Sequence, residues 1–169
     1  MLKIINTSGQ IDDLFDKGAF SRDKWREYIN LIYEDSSHLF EDEVEEYIAS
    51  GEYTFEKDFL PVIQAVFQNP KRDILQQSFL AVTDHLNERI SQTFHRGIDA
   101  DLVLYLGLCN AAGWVTSIHG RNVILLGIEK ILELGWYSRQ AMYGLIYHEL
   151  GHLYHLSLIH ISEPTRPEP

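Results

Sequence analysis

The segment that most constrains the fold of this chain is His148-Glu149-Leu150-Gly151-His152, which lies within a run of helical periodicity. Apolar residues recur through this run at intervals of three and four, at Met142, Leu145, Ile146, Leu150, Leu153 and Tyr154. The spacing predicts an amphipathic helix with one face in a core. Ser138, a residue type common at helix N-caps, is the predicted start of the helix.

Two histidines at this spacing predict a metal site. Residues four apart on a helix lie one above the other, about 6 Å along the axis, so His148 and His152 can converge on one ion. Glu149 lies about 100° further round and can reach a water on the open side of that ion. The pattern predicts a zinc-activated water that attacks a carbonyl, most readily a peptide bond, with Glu149 as general base.

Two alternatives to the zinc site stay open. His148 and His152 could be core histidines, with Glu149 a surface or ion-paired carboxylate, although leaving such groups unpaired on an apolar helix is costly. The same ligands could also hold iron or manganese.

The segments 122–130 (Asn-Val-Ile-Leu-Leu-Gly-Ile-Glu-Lys) and 145–152 (Leu-Ile-Tyr-His-Glu-Leu-Gly-His) resemble the zincin metallopeptidases. The resemblance covers roughly residues 95–155 and is closest to uncharacterised bacterial predicted zinc-dependent proteases of gluzincin-like type. It implies His148 and His152 as zinc ligands, Glu149 as general base, and a third ligand, a Glu, from a later helix. It also implies a peptide substrate bound along an edge strand. The candidates for that strand are Val123, Ile124, Leu125 and Leu126.

The third ligand is not evident in the sequence. After His155 the helical pattern is lost, and three prolines fall within the last six residues. This tail, 156–169, resembles a conceptual translation of sequencing-adapter DNA, so the native sequence is expected to end at or just after His155; a genuine Pro-rich terminus is the alternative. The remaining ligand candidates are His155, His160 and Glu163. His155 lies about 10 Å along the axis from His148 and is a poor partner for the same ion. We therefore expect a truncated domain with an incomplete site.

Composition limits the partners. The formal net charge of −11 argues against a nucleic-acid partner, because binding the phosphate backbone requires a basic surface. Ten Asp/Glu face one Lys in residues 34–58, which indicates a solvated helix face or, as the alternative, attraction of cationic substrates. No apolar run is long enough to span a bilayer, and no secretory segment follows Met1. The single cysteine, Cys109, is predicted to be a core residue in a reducing compartment, so the protein is expected in the cytoplasm with no membrane partner.

The predicted fold class is α+β, with residues 1–96 helical, 97–155 a small sheet followed by the motif helix of a zincin-like catalytic domain, and 156–169 the tail. Periodicity predicts one long helix over Lys71–Phe94, strands over Asp101–Leu108, Trp114–Ile118 and Asn122–Leu126, and a short helix over Ile128–Leu134 that ends at Gly135. The expected function is a zinc-dependent metallopeptidase acting on a peptide or protein. The alternatives are a zinc-binding sensor or regulator without turnover, and a structural chain without metal. The oligomeric state is left open.

Overall fold

The fold is α+β, with helices on both faces of a four-stranded mixed sheet. The structure is a computed structural model that describes the backbone of residues 1–162 and the side chains of residues 1–156. The strands are β1 (Leu2–Asn6), β2 (Phe15–Asp16), β3 (Ala19–Phe20), β4 (Ala100–Tyr105), β5 (Gly113–Ile118) and β6 (Arg121–Gly127). The helices are α1 (Arg22–Ile32), α2 (Ser37–Ala49), α3 (Leu60–Gln64), α4 (Lys71–Thr83), α5 (Leu86–Phe94), α6 (Ile128–Leu134) and α7 (Arg139–Ser162). A 3-10 segment covers Ser8–Leu14 and a π-helical turn covers Phe55–Phe59.

The strand order of the main sheet is β1-β4-β6-β5. β1, β4 and β6 run parallel, and β5 returns antiparallel to β6. All six residues of β4 are buried, as expected for a parallel strand covered on both faces. β5 and β6 are joined by the two-residue turn His119–Gly120, in which both residues have positive φ (52° and 76°).

The two faces of the sheet carry different helices. Neighbouring residues of a strand point to opposite faces. Trp114 of β5 contacts Phe40 of α2, with ring centroids 5.6 Å apart, whereas Gly113 lies against Leu145 of α7. α1 packs beside α2, and α4 packs against α7. α7 therefore lies on one face of the sheet, with its neighbour α4, while α2 covers the other face.

The motif helix forms as predicted at its start and along its core face. Ser138 Oγ accepts a hydrogen bond from the backbone N–H of Ala141 at 3.1 Å, which confirms the cap. Met142, Ile146, Leu150 and Leu153 are buried, whereas Leu145 and Tyr154 are half-buried against the core. The predicted loss of helical structure after His155 is wrong, since α7 continues to Ser162. The first proline after His155 is Pro164, so no residue of the helix lacks the backbone N–H that helical pairing needs.

Two other predictions are corrected by the structure. β1 lies within the region predicted as helical, and it pairs with β4, so a boundary at residues 96/97 does not separate the sheet from the helical part. The predicted helix over Lys71–Phe94 is two helices, because His85 takes a left-handed conformation (φ 55°) between α4 and α5. In the described residues, no helix is both long enough and apolar enough to cross a membrane.

The predicted edge strand is not at an edge. Val123, Ile124, Leu125 and Leu126 belong to β6, which is hydrogen-bonded to β4 on one side and β5 on the other. Both rows of backbone groups are therefore occupied and cannot bind a substrate strand. The continuous apolar run in this segment is typical of a central strand buried on both faces. The strand beside α7 that does lie at an edge is β5.

Candidate metal centre

The two histidines of the motif converge. His148 Nε2 and His152 Nε2 lie 3.0 Å apart, with ring centroids at 4.5 Å and planes at 88°. Both residues are exposed; the side chain of His148 retains 66% of its accessible surface. The one-turn spacing on α7 alone produces this approach. The face that carries the imidazoles is open to solvent and to a small ligand.

Glu149 differs from the histidines in its burial. It is 4% exposed, and its Oε1 lies 3.9 Å from His148 Nε2. Its Oε2 is buried and has no hydrogen-bond partner among the described residues. A buried carboxylate oxygen without a partner is costly, because it has lost water and gained nothing in exchange. Such an atom, next to two convergent imidazoles, indicates a missing partner at this place.

The donor set fits a zinc ion. One atom from each of His148, Glu149 and His152 lies within 4.8 Å of the others. Two imidazole nitrogens on a tetrahedral zinc ion would lie about 3.3 Å apart, close to the separation of the two Nε2 atoms. Across residues 1–156, no further His, Cys, Asp or Glu joins this group, and His155 lies outside it. The side chain of His160, and Glu163 altogether, lie outside the described residues.

A groove of about 560 Å³ adjoins His148 and Glu149 between α7 and the start of β5. Its walls are largely apolar, apart from the motif residues at one end. The lining residues are Ala112, Gly113, Leu134, Trp136, Ala141, Gly144, Leu145, His148 and Glu149. A concave, mostly apolar space with a few polar groups at one end is the usual form of a ligand site.

The outer edge of β5 has no neighbouring strand in the part of the chain that the structure describes. Gly127 N–H donates to Ala112 O, and Ile118 and Arg121 close the hairpin. In an antiparallel pair the backbone groups alternate between the partner and the opposite side. The N–H and C=O groups of Gly113, Val115 and Ser117 therefore face outward. At the other edge of the sheet, the side-chain amide of Asn87 bonds both backbone groups of Leu2 in β1.

Cys109 has the environment predicted for a core residue. It is half-buried, and its thiol lies 3.5 Å from the carbonyl oxygen of Phe59. Burial, and secondarily the negative charge of Glu129, raises the pKa of the thiol well above its usual range. Since the thiolate is the nucleophilic form, this environment is unlike that of a reactive cysteine.

Several residues that shape the groove have no signal in the sequence. Ala112 and Gly113 line the groove, and Gly113 begins β5. Trp136 and Gly144 also line the groove, and no spacing rule singles them out. Glu129 is fully buried although its side chain is a carboxyl group.

No family model, no curated protein and no solved structure matches this chain.

Proposed function

We propose that the protein is a zinc-dependent metallopeptidase that hydrolyses peptide bonds with Glu149 as general base. The observation that carries this proposal is the convergence of the His148 and His152 imidazoles beside a buried carboxylate oxygen without a partner. The groove and the open strand edge next to these residues support a peptide as the substrate. The net charge of −11 argues against nucleic acid as a partner.

Each motif residue has a distinct role in this proposal. His148 and His152 would hold zinc, which when bound supplies a Lewis acid that acidifies water and polarises a carbonyl. Glu149 accepts the proton of the attacking water and returns it to the leaving amine. Because its carboxylate is buried, bulk water does not compete for the proton. The absence of a side chain at Gly113, on the facing strand β5, leaves room for Glu149 beside His148.

The substrate would bind as an extended strand. The outward backbone groups of Gly113, Val115 and Ser117 can pair with a peptide, as in recognition by strand addition. One side chain of that peptide would enter the groove beside His148 and Glu149. Because the groove walls are mostly apolar, we expect a preference for a large apolar residue next to the cleaved bond. The single unpaired cysteine supports a reducing compartment, and we propose the cytoplasm as the site of action.

The decisive experiment compares the chain with its Glu149→Gln variant on a library of quenched fluorescent peptides in the presence of equimolar zinc. Glu149→Gln should lower kcat by about 10²- to 10⁴-fold, the usual range for loss of a general base, and leave zinc affinity nearly unchanged. His148→Ala should lose zinc as well. His155→Ala, one heptad along the same helix and outside the cluster, is the matched control. Equal cleavage by the Glu149→Gln variant would remove Glu149 from the mechanism.

A second candidate function is a zinc-binding sensor or regulator without turnover. The observation that favours it is the small donor set, since the described residues provide only two histidines and Glu149. Hydrolytic zinc sites use three protein ligands and a water. Full zinc occupancy with no cleavage above background across the whole library would support this function over the peptidase.

A further inference from the structure

Glu129 is a fully buried carboxylate near the start of α6. Its Oε1 accepts a hydrogen bond from Gly107 N–H at 2.8 Å, and its Oε2 accepts one from Cys109 N–H at 2.9 Å. Within the described chain no cation pairs with it, and the adjacent Lys130 bonds Glu133 instead. Burying a carboxyl group is costly, and the backbone hydrogen bonds that Glu129 accepts offset this cost and indicate what it holds. It holds residues 106–112, the strap that connects β4 to β5.

The strap packs closely against the Glu129 carboxylate and the end of β6. A Cβ atom on Gly107 would lie 2.6 Å from Glu129 Oε2, and a Cβ atom on Gly127 would lie 2.5 Å from Ala111 O. Both positions therefore require glycine if the strap is to cross the end of β6 at this distance. Cys109, whose N–H points at Glu129, has a positive φ of 67°. The close approach at Gly107 and the left-handed Cys109 bring two backbone N–H groups onto the carboxylate, so this path of the strap depends on it.

The far end of the strap is a wall of the groove. Ala112 O accepts the hydrogen bond from Gly127 N–H at 3.0 Å, and Ala112 and Gly113 both line the groove. A Cβ atom on Gly113 would lie 3.2 Å from Glu149 Cγ. A short chain of bonded and contacting groups thus runs from Glu129 through the strap to Glu149.

We propose that Glu129 is a positioning residue: by holding the strap, it sets the wall formed by Ala112 and Gly113 opposite α7, and with it the width of the groove beside Glu149. The expected effect of Glu129 on substrate binding rests on the proposed peptidase function. Its expected effect on the position of the groove wall does not. Glu129 touches neither the histidines nor the groove, so it acts only through the strap.

The first test uses Glu129→Gln with Glu133→Gln as the matched control. The glutamine side chain has only one acceptor oxygen. Its NH2 group is a donor and would face the N–H of Cys109, another donor, so that hydrogen bond would be lost. We expect Glu129→Gln to raise KM for peptides with a large apolar residue by at least tenfold, with a smaller change in kcat and no change in zinc affinity. Glu133 lies on the same helix and bonds Lys130, so Glu133→Gln should keep the wild-type values. A wild-type KM in Glu129→Gln overturns the proposal.

Amide chemical shifts test the positioning role of Glu129 without requiring peptidase activity. If no variant or wild-type protein cleaves peptides, the proposed function fails, but the position of the wall can still be measured. Glu129→Gln should shift the amide resonances of Gly113 and Leu145, on opposite walls, while Glu133→Gln leaves both in place. Unshifted Gly113 and Leu145 resonances in Glu129→Gln overturn the positioning role.

Hydrogen exchange of the wild-type chain provides a test even if Glu129→Gln does not fold. Gly107 and Cys109 amides report the bonds to Glu129, and the Gly127 amide reports the bond to Ala112. If the strap and the wall move together, the three amides exchange hydrogen through the same local unfolding reaction. Their exchange rates then show the same dependence on denaturant concentration. A Gly127 amide that stays protected while Gly107 and Cys109 exchange freely contradicts the proposal.

Discussion

Gly113 is a residue of the edge strand that lies directly against the motif helix. A Cβ atom there would lie 2.8 Å from a Leu145 methyl group and 3.2 Å from Glu149 Cγ. No other residue type fits without moving one of these side chains. The position of the candidate general base therefore depends on the absence of a side chain on the facing strand.

Gly113→Ala tests this dependence. Overpacking of this kind costs about 1–3 kcal/mol of stability, and a displacement of about 1 Å at a reacting group can lower kcat by about 100-fold. We expect both losses, measured by urea unfolding and by peptide cleavage, with zinc affinity retained. Gly97→Ala is the control, because a Cβ atom on Gly97 meets nothing within 4 Å. Unchanged cleavage by Gly113→Ala would show that Glu149 is not held by this contact.

Glu129 makes stability depend on pH. Burial raises its pKa from 4.5 to about 7, although the hydrogen bonds from Gly107 and Cys109 lower it in part. The native state therefore binds the proton more tightly than the unfolded state between these values. The free energy of unfolding should fall as pH rises from about 4.5 to about 7, by on the order of 3 kcal/mol.

The measurement is urea unfolding at several pH values across this window. Glu129→Gln should remove this part of the pH dependence, whereas Glu133→Gln should keep it. Equal slopes in wild type and Glu129→Gln would contradict the assignment.

At the scale of elements, β5 provides a test of where substrate binds. Val115→Pro removes an outward N–H without removing a bond to β6, and proline is tolerated at such edge positions. We expect a folded protein with a KM raised by about tenfold for extended peptides. Thr116→Pro is the contrasting variant, because Thr116 pairs with Val123 and its N–H faces β6. Thr116→Pro should unfold the hairpin, and a normal KM in Val115→Pro would rule out strand addition.

The elements near the site were predictable because their signals are local. Periodicity identified α7, and short apolar runs identified β4, β5 and β6. The Ser138 cap and the left-handed Gly135 at the end of α6 also follow from local rules. β1 was missed because its pairing with β4 joins residues nearly 100 positions apart. β6 was assigned to an edge because its pairing with β4 bypasses β5, the next strand in the sequence. Local patterns do not contain that information.

The site was predictable only in part for the same reason. The spacing of His148 and His152 on one helix determines their convergence. The burial of Glu149, the groove and Glu129 depend on which strand packs against α7, and this is a property of the tertiary fold. The third ligand candidates His160 and Glu163 lie beyond the described side chains, so the complete donor set stays a prediction.

At the scale of the whole molecule, zinc should stabilise the native state by mass action. A ligand at 100 times its Kd adds about 2.7 kcal/mol, which corresponds to a Tm increase of roughly 5–10 °C for a chain of this size. We expect this shift on adding zinc to protein freed of metal by a chelator, in a calorimetric scan. The shift should disappear in His148→Ala and persist in His155→Ala. Equal Tm values with and without zinc would favour a structural chain without metal.

The open edge of β5 has a consequence for the protein in concentrated solution. The strand, Gly-Trp-Val-Thr-Ser-Ile, contains no charged residue and no proline, the devices with which edge strands commonly discourage pairing with other chains. A second copy of the protein could add its own β5 here as readily as a peptide could. Self-association and peptide binding would then compete for the same row of backbone groups, and a bound peptide would protect the protein from aggregation.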